Sequence, residues 1–178
     1  MDSDLLDRFH LGDLSAFDEL MERYHRPVYQ FAYRLTQNRA TAEDVAQEVF
    51  VRAYRGLSGF RRASSLQTWL LRIAIRVASD QRQEGGLRPV ASLPAAVNPD
   101  ALAALERREL EAELAEAVAQ LSPKQRTALI LRVSHDLTFK EIAEVMGSAL
   151  GTVKATYHQA VGRLQVLLRS RSTSLRDH

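Results

Sequence analysis

Apolar residues return every three or four positions along almost the whole chain, and no segment shows the two-residue alternation of a strand. That spacing collects side chains on one face of a helix, so an all-α protein is expected. The first long stretch runs from Leu14 to Gln37, with Phe17, Leu20, Met21, Tyr24, Val28, Phe31 and Leu35 in register. Pro27 interrupts it; a proline has no N–H to donate and its ring crowds the preceding turn, so a kink or break is expected there. Thr41 with Asp44 reads as a capping box that opens a helix running to about Leu57. After the loop GLSGFRRASS, Ser64 with Gln67 reads as the cap of a further helix ending near Gln83. Its buried stripe is expected to hold Leu66, Trp69, Leu70, Ile73 and Val77.

The periodicity then stops. Glu84 to Asp100 holds Gly85, Gly86, Pro89, Pro94 and Pro99 without a repeat, the composition of a flexible linker. Beyond it, Leu102 to Leu121 is a Glu- and Ala-rich helical stretch carrying Leu102, Leu105, Leu110 and Leu114, too short and irregular for a coiled coil. Ser122, Pro123 and Gln125 supply a cap, a first-turn proline and a reciprocal partner, opening a helix with Ala128, Leu129 and Leu131 that reaches about Ser134. The expected architecture is two small helical domains, residues 1–83 and 101–178, joined by a flexible linker over 84–100.

The segment Thr138 to Leu164, TFKEIAEVMGSALGTVKATYHQAVGRL, is the most informative. Thr138 and Glu141 form a capping box, and Ile142, Ala143 and Met146 share one apolar face. Gly147 suits a left-handed helix end, and a second apolar set follows at Leu150, Val153, Tyr157, Ala160 and Leu164. Two short helices around a glycine turn fit a helix-turn-helix, which lays its second helix in the DNA major groove; an ordinary helical hairpin is the plainer alternative.

Charge supports the DNA reading. The net charge is only +2, yet residues 1–60 hold 7 Arg against 10 Asp and Glu, while residues 61–90 hold 6 Arg against Asp80 and Glu84. From Val145 onward Lys154, Arg163, Arg169, Arg171 and Arg176 face only Asp177. Two basic regions far apart in sequence suggest two contacts with a polyanion, although solvated helix faces explain either one alone. With 46% hydrophobic residues the chain has enough apolar material for real cores. No apolar run approaches the roughly 20 residues a membrane helix needs, and the acidic start MDSDLLDRF is unlike a signal peptide. The absence of cysteine excludes disulfides and thiolate metal sites and suits a cytoplasmic protein. An enzyme is disfavoured: there is no glycine-rich phosphate loop or nucleophile elbow, and His10, His25, His135, His158 and His178 are scattered. No catalytic residue, metal site or cofactor is expected.

The runs AFDELMERYHRPVYQFAYRL, ATAEDVAQEVFVRAYRGLSGFR and SSLQTWLLRIA, followed by LSPKQRTALILR and LTFKEIAEVMGSALGTVK, resemble in order and spacing a bacterial RNA polymerase sigma factor of the small, two-domain extracytoplasmic-function type. The resemblance covers roughly Leu14 to Leu168. It implies a non-enzymatic protein that binds core RNA polymerase, directs it to promoter DNA with minus-ten and minus-thirty-five elements, helps melt the first, and is commonly sequestered by an anti-sigma protein. The first domain would bind polymerase and the minus-ten element, and the second the minus-thirty-five element.

Specific residues follow. On the helix from Glu43 to Leu57, periodicity puts Val45, Ala46, Val49, Ala53 and Leu57 inside and Asp44, Gln47, Glu48, Val51 and Arg55 outside, where the family places its polymerase contact. Thr68, Arg72, Arg76, Ser79 and Gln83 share a face of the next helix; with Arg61 and Arg62 from the loop, the resemblance assigns them to the minus-ten strand and an unstacked base. Trp69 invites a stacking role, but its stripe makes it core. In the second domain the resemblance gives Lys154, Ala155, His158 and Gln159 base- or phosphate-facing positions with Thr156 alongside, and Thr152 near the helix start could donate to phosphate. Relatives usually carry more basic residues where Thr156, Gln159 and Val161 stand, and commonly an asparagine where Arg76 stands, which implies altered promoter choice. The competing function is an autonomous helix-turn-helix regulator that binds DNA as a dimer without polymerase.

Overall fold

A computed structural model describes residues 2–84 and 111–174, all helix and connecting turns with no strand among them. Helix α1 spans Asp2–His10, α2 Ser15–Thr36 and α3 Arg39–Gly56; a 3-10 turn at Leu57–Gly59 leads to α4, Leu66–Glu84. The second region holds a helical stretch over 111–119 (α5), then α6 Pro123–Ser134, α7 Phe139–Met146 and α8 Leu150–Ser174. The linker expected over 84–100 lies, past its first residue, outside the described residues, as do Leu102, Leu105 and Leu110.

In the first module α2 packs against α3 and α4, α3 against α4, and α1 against α2. The core draws Leu20, Val28, Phe31, Ala32 and Leu35 from α2, Val45, Val49 and Ala53 from α3, and Leu66, Leu70, Leu71, Ala74 and Val77 from α4. Phe31 has no exposed surface, and such complete burial of a phenylalanine contributes about 2–3 kcal/mol. Val45, Ala46, Val49 and Ala53 of α3, and Leu57 just past its end, are all buried as expected.

Several local expectations need correction. Helix α2 runs from Ser15 to Thr36 through Pro27, so the expected break does not occur. Its apolar face is continuous on both sides of the proline, from Leu20 to Val28, Phe31 and Leu35, and packing of that face outweighs the roughly 3 kcal/mol that an interior proline costs. The start of α3 is set not by Thr41 but by Asn38, whose side chain accepts from the Thr41 N–H at 3.0 Å. The cap of α4 is Ser65 rather than Ser64: its Oγ accepts from the Thr68 N–H at 3.0 Å. Within α4 the buried stripe is rotated toward Leu71, Ala74 and Ala78, leaving Trp69 and Ile73 half-buried at its margin. The indole of Trp69 still packs inward, 5.1 Å from the Phe60 ring and so close to Gly56 that a Cβ there would sit 3.3 Å from it. Helix α1 was not anticipated.

In the second module α8 packs on α6 and α7. Both expected capping boxes are complete, Ser122 with Gln125 at the start of α6 and Thr138 with Glu141 at the start of α7. Two hydrogen bonds from Thr138 hold the Glu141 carboxyl below the usual carboxylate range. Gly147 ends α7 in the left-handed region at φ 59°, and the Ser148 N–H returns to the Ala143 carbonyl at 3.0 Å. Ile142, Val145, Val153 and Ala160 are buried at the crossing of α7 and α8.

The two modules are packed together. Leu131, Leu137, Ile142, Val145 and Val153 belong to the same apolar cluster as the first module's core, with α7 against α4 and α6 against α2. Arg126 of α6 clasps the junction. Its guanidinium donates to the carbonyls of Val118, Ala119 and Leu121, where α5 ends, and across the modules to Leu35 near the end of α2. Helix C-termini leave carbonyls without partners and carry partial negative charge, so a buried arginine satisfies both needs. At the far end of α6 its C-cap residue His135 is edge-on to Phe31 at 5.2 Å, with Nδ1 3.3 Å from the Gln67 side-chain nitrogen.

Candidate functional site

The structure brings the expected residues together as three surfaces. On α8, Thr152, Lys154, Ala155, His158 and Gln159 are exposed over the first three turns, on the side away from buried Val153 and Ala160. Thr156 is half-buried at the edge of that face. Tyr157 closes the other edge, its ring 5.4 Å from Phe139 of α7, so the helix is braced where it is presented. His158 lies against Tyr157 at 5.6 Å. A polar, exposed face on the second helix of a capped helix-turn-helix has the shape to enter a major groove, with amide and ammonium groups able to reach base edges and phosphates.

On α3, Asp44, Gln47, Val51 and Arg55 are exposed and Glu48 is half-buried. Asp44, Gln47, Glu48 and Val51 line one wall of a shallow groove of about 520 Å³ whose other wall is α4, through Val77, Asp80 and Gln81. Arg52 ties the walls, donating to Glu48 at 2.7 Å and Asp80 at 3.1 Å. Arg55 lies outside the groove lining. The contribution of α4 escaped sequence reasoning because only packing sets Asp80 and Gln81 opposite α3.

The α4 face is less uniform than its spacing suggests. Arg76 and Ser79 are exposed, Arg72 is half-buried with its Nε unpartnered, and Thr68 is fully buried, its hydroxyl 2.7 Å from Ser65 Oγ. Helix α4 packs against α7 as well as α2 and α3. Thr68 is therefore a capping and core residue here. In the preceding loop Arg61 and Arg62 are exposed, but Arg62 is paired with Asp7 of α1. Among the described residues no group of three or more His, Cys, Asp or Glu is gathered as a metal site, and no helix is long and apolar enough to cross a membrane.

Among the described residues, an all-helical architecture with a capped helix-turn-helix and a second, arginine-bearing module has the form of a DNA-binding protein. Comparison with known proteins narrows this. Sigma-70 region 2 matches residues 20–86 and Sigma-70, region 4 matches residues 111–164. The chain is 36% identical over 172 residues to the RNA polymerase sigma-H factor of Pseudomonas aeruginosa, covering 89% of each. It is 32% identical over 174 residues to the ECF RNA polymerase sigma-E factor of Escherichia coli, covering 89% of this chain and 90% of that one. Among solved structures, the sigma factor RpoE in complex with the anti-sigma factor NepR from Bartonella quintana superposes with a TM-score of 0.73 at 25% identity, over 88% of this chain and 98% of that chain. CnrH, solved with the cytosolic domain of CnrY, shares the fold with a TM-score of 0.73 at 23% identity, over 95% of this chain and 97% of that chain. The chain belongs to the ECF sigma factors of the sigma-70 family.

Proposed function

We propose that this sigma factor acts by binding core RNA polymerase through the α3–α4 groove and placing its two modules on separate promoter elements. Residues 1–83 carry polymerase and minus-ten recognition, residues 101–178 carry minus-thirty-five recognition, and residues 84–100 span between them. In this reading Asp44, Gln47, Glu48, Val51 and Arg55 dock on polymerase, while Arg61, Arg72, Arg76 and Ser79 face the melted strand. Thr152, Lys154, Ala155, Thr156, His158 and Gln159 face the minus-thirty-five groove. The observation that carries the proposal is the presence on one chain of an exposed polar recognition face on α8 and an acid- and amide-lined groove on a different module. The protein works in the cytoplasm, is no enzyme and needs no cofactor; its output is the direction of another machine.

The neighbouring RpoE structure contains an anti-sigma factor, and its similarity over most of both chains supports control of this chain by a protein of that class. Run-off transcription with core polymerase on genomic fragments tests the reading. Promoter-specific transcripts that require both proteins are expected. A gel shift in which the chain alone binds its target as tightly as the holoenzyme does would favour the autonomous regulator instead.

A further inference from the structure

Helix α1 lies ahead of the residues matched to Sigma-70 region 2, and the proposed function leaves it without a role. It is firmly seated. Leu5 and Leu6 are each 3% exposed, Asp2 accepts from Arg23 and from the Tyr24 hydroxyl, and the Phe9 ring packs 5.9 Å from Tyr54 and 6.0 Å from Phe17. From this base it reaches the loop between α3 and α4 at two points. Near the loop's start, His10 Nε2 lies 3.2 Å from the Ser58 carbonyl oxygen and Nδ1 2.5 Å from that of Leu6, and a neutral ring donates to one of the two. Near its end, the Arg62 guanidinium is paired with Asp7 and donates to Ser3 Oγ at 2.9 Å. Arg62 itself sits in the left-handed region at φ 55°, a conformation a residue with a side chain rarely adopts unless its surroundings impose it.

We infer that α1 is a positioning element for promoter melting, holding the loop between α3 and α4 through Asp7, Ser3 and His10 in the shape that receives the minus-ten strand. The inference rests on the proposed sigma-factor reading. Residues 60–65 have no helix of their own, so an untethered loop would pay ordering entropy each time it closed on DNA. The tie of Arg62 to a seated helix, with His10 against Ser58, removes part of that cost in advance. Asp2, Asp4 and Asp7 would repel phosphate, so α1 acts through the loop and does not touch DNA. Arg62 is held by α1, while exposed Arg61 beside it remains turned to solvent for the strand.

The test compares Asp7→Ala and Asp7→Glu with the wild-type chain, each full length and assembled with core polymerase. Promoter sets varied separately at the minus-ten and minus-thirty-five elements are transcribed, and unpaired thymines at minus-ten are read with permanganate. Because the pair is exposed, Asp7→Ala should reduce open-complex formation about three- to fivefold. It should also change the ranking of minus-ten variants, leaving polymerase affinity and the minus-thirty-five ranking as in wild type, and Asp7→Glu should restore both readouts. Unchanged minus-ten behaviour overturns the inference. So does a parallel loss of polymerase affinity or minus-thirty-five use, which would make α1 a stabiliser of the bundle alone. If the wild-type chain gives no promoter-specific transcript, the sigma-factor reading fails instead.

Discussion

Helices α4 and α8 carry the two polar faces assigned to promoter DNA, and they stand in opposite circumstances. On α8 the face is open, with only Thr156 drawn toward the interior. On α4 it begins inside the core at Thr68, passes through half-buried Arg72 and emerges at Arg76. The two helices differ in their partners: α8 packs on α6 and α7, whereas α4 packs on α2 and α3 of its own module and on α7 of the other. A helix that serves both a core and an inter-module contact has less surface to offer a ligand. Loosening the contact between the modules is therefore expected to change the α4 face more than the α8 face.

The largest effect on this difference is expected from Arg126. Replacing it with methionine keeps the buried stem but strips the carbonyls of Val118, Ala119, Leu121 and Leu35 of a shared donor. Stability should fall by about 3 kcal/mol and Tm by roughly 6–12 °C, measured by calorimetry. Amide exchange should quicken along α4 and α6 while the exposed face of α8 exchanges as before; equal loosening of both helices would erase the contrast drawn here.

Next comes the open face. Gln159→Ala should cost about 1–3 kcal/mol on the preferred minus-thirty-five sequence and little on others, if its amide reads a base edge. Lys154→Ala should weaken binding to all sequences alike and lower the salt slope by about one unit, measured by titrating holoenzyme on promoter DNA at several salt concentrations. The exchange Arg76→Asn should shift minus-ten preference and leave minus-thirty-five preference alone; an unchanged promoter profile would remove Arg76 from the specificity surface.

A smaller, pH-dependent effect should appear at the module junction. Burial first, and then the nearby Arg34 guanidinium, bring the His135 imidazole down to about 4 from an ordinary 6.5. It faces Phe31 and Arg34 from α2 and Gln67 from α4. A chain whose modules have separated binds a proton there that the packed form refuses, so packing is favoured fully above about 6.5 and loses this contribution as pH falls through about 4. Small-angle scattering across that range should show the wild-type chain expanding at a higher pH than His135→Gln. Coincident curves would mean that His135 does not couple packing to protonation. The least effect is expected from Gly56→Ala: its added methyl would sit 3.3 Å from the Trp69 ring, while alanine favours the helix by about 1 kcal/mol, so Tm by calorimetry should move by only about 2–4 °C.

Legibility followed the range of the interaction. The Ser122–Gln125 and Thr138–Glu141 boxes and the Gly147 turn were readable because every participant lies within a few residues of the others. The α3 interior from Val45 to Leu57 was readable because one helical period describes it. Errors arose where several local signals compete: Asn38 and Thr41 are both sound cap residues, and so are Ser64 and Ser65, and the choice turns on where the helix packs. Pro27 does not end its helix, because a local penalty is overruled by a long buried face. Helix α1, nine residues with three acids, was invisible as a helix because its stability comes from Leu5, Leu6 and Phe9 meeting α2 and α3, not from its own propensity.

Taken by themselves, the residues determined an all-helical chain, the helix-turn-helix and its outward positions on α8, and the polar positions of α3, since each is written in spacing and caps along one element. Only the folded molecule decided that Thr68 is interior, that Asp80 and Gln81 complete the groove, that Arg62 belongs to α1, and that Arg126 and His135 join the modules. Those partners lie tens of residues apart in the chain, and which of many polar side chains finds which carbonyl or carboxylate is fixed by close packing of whole helices, a property no single stretch of sequence contains.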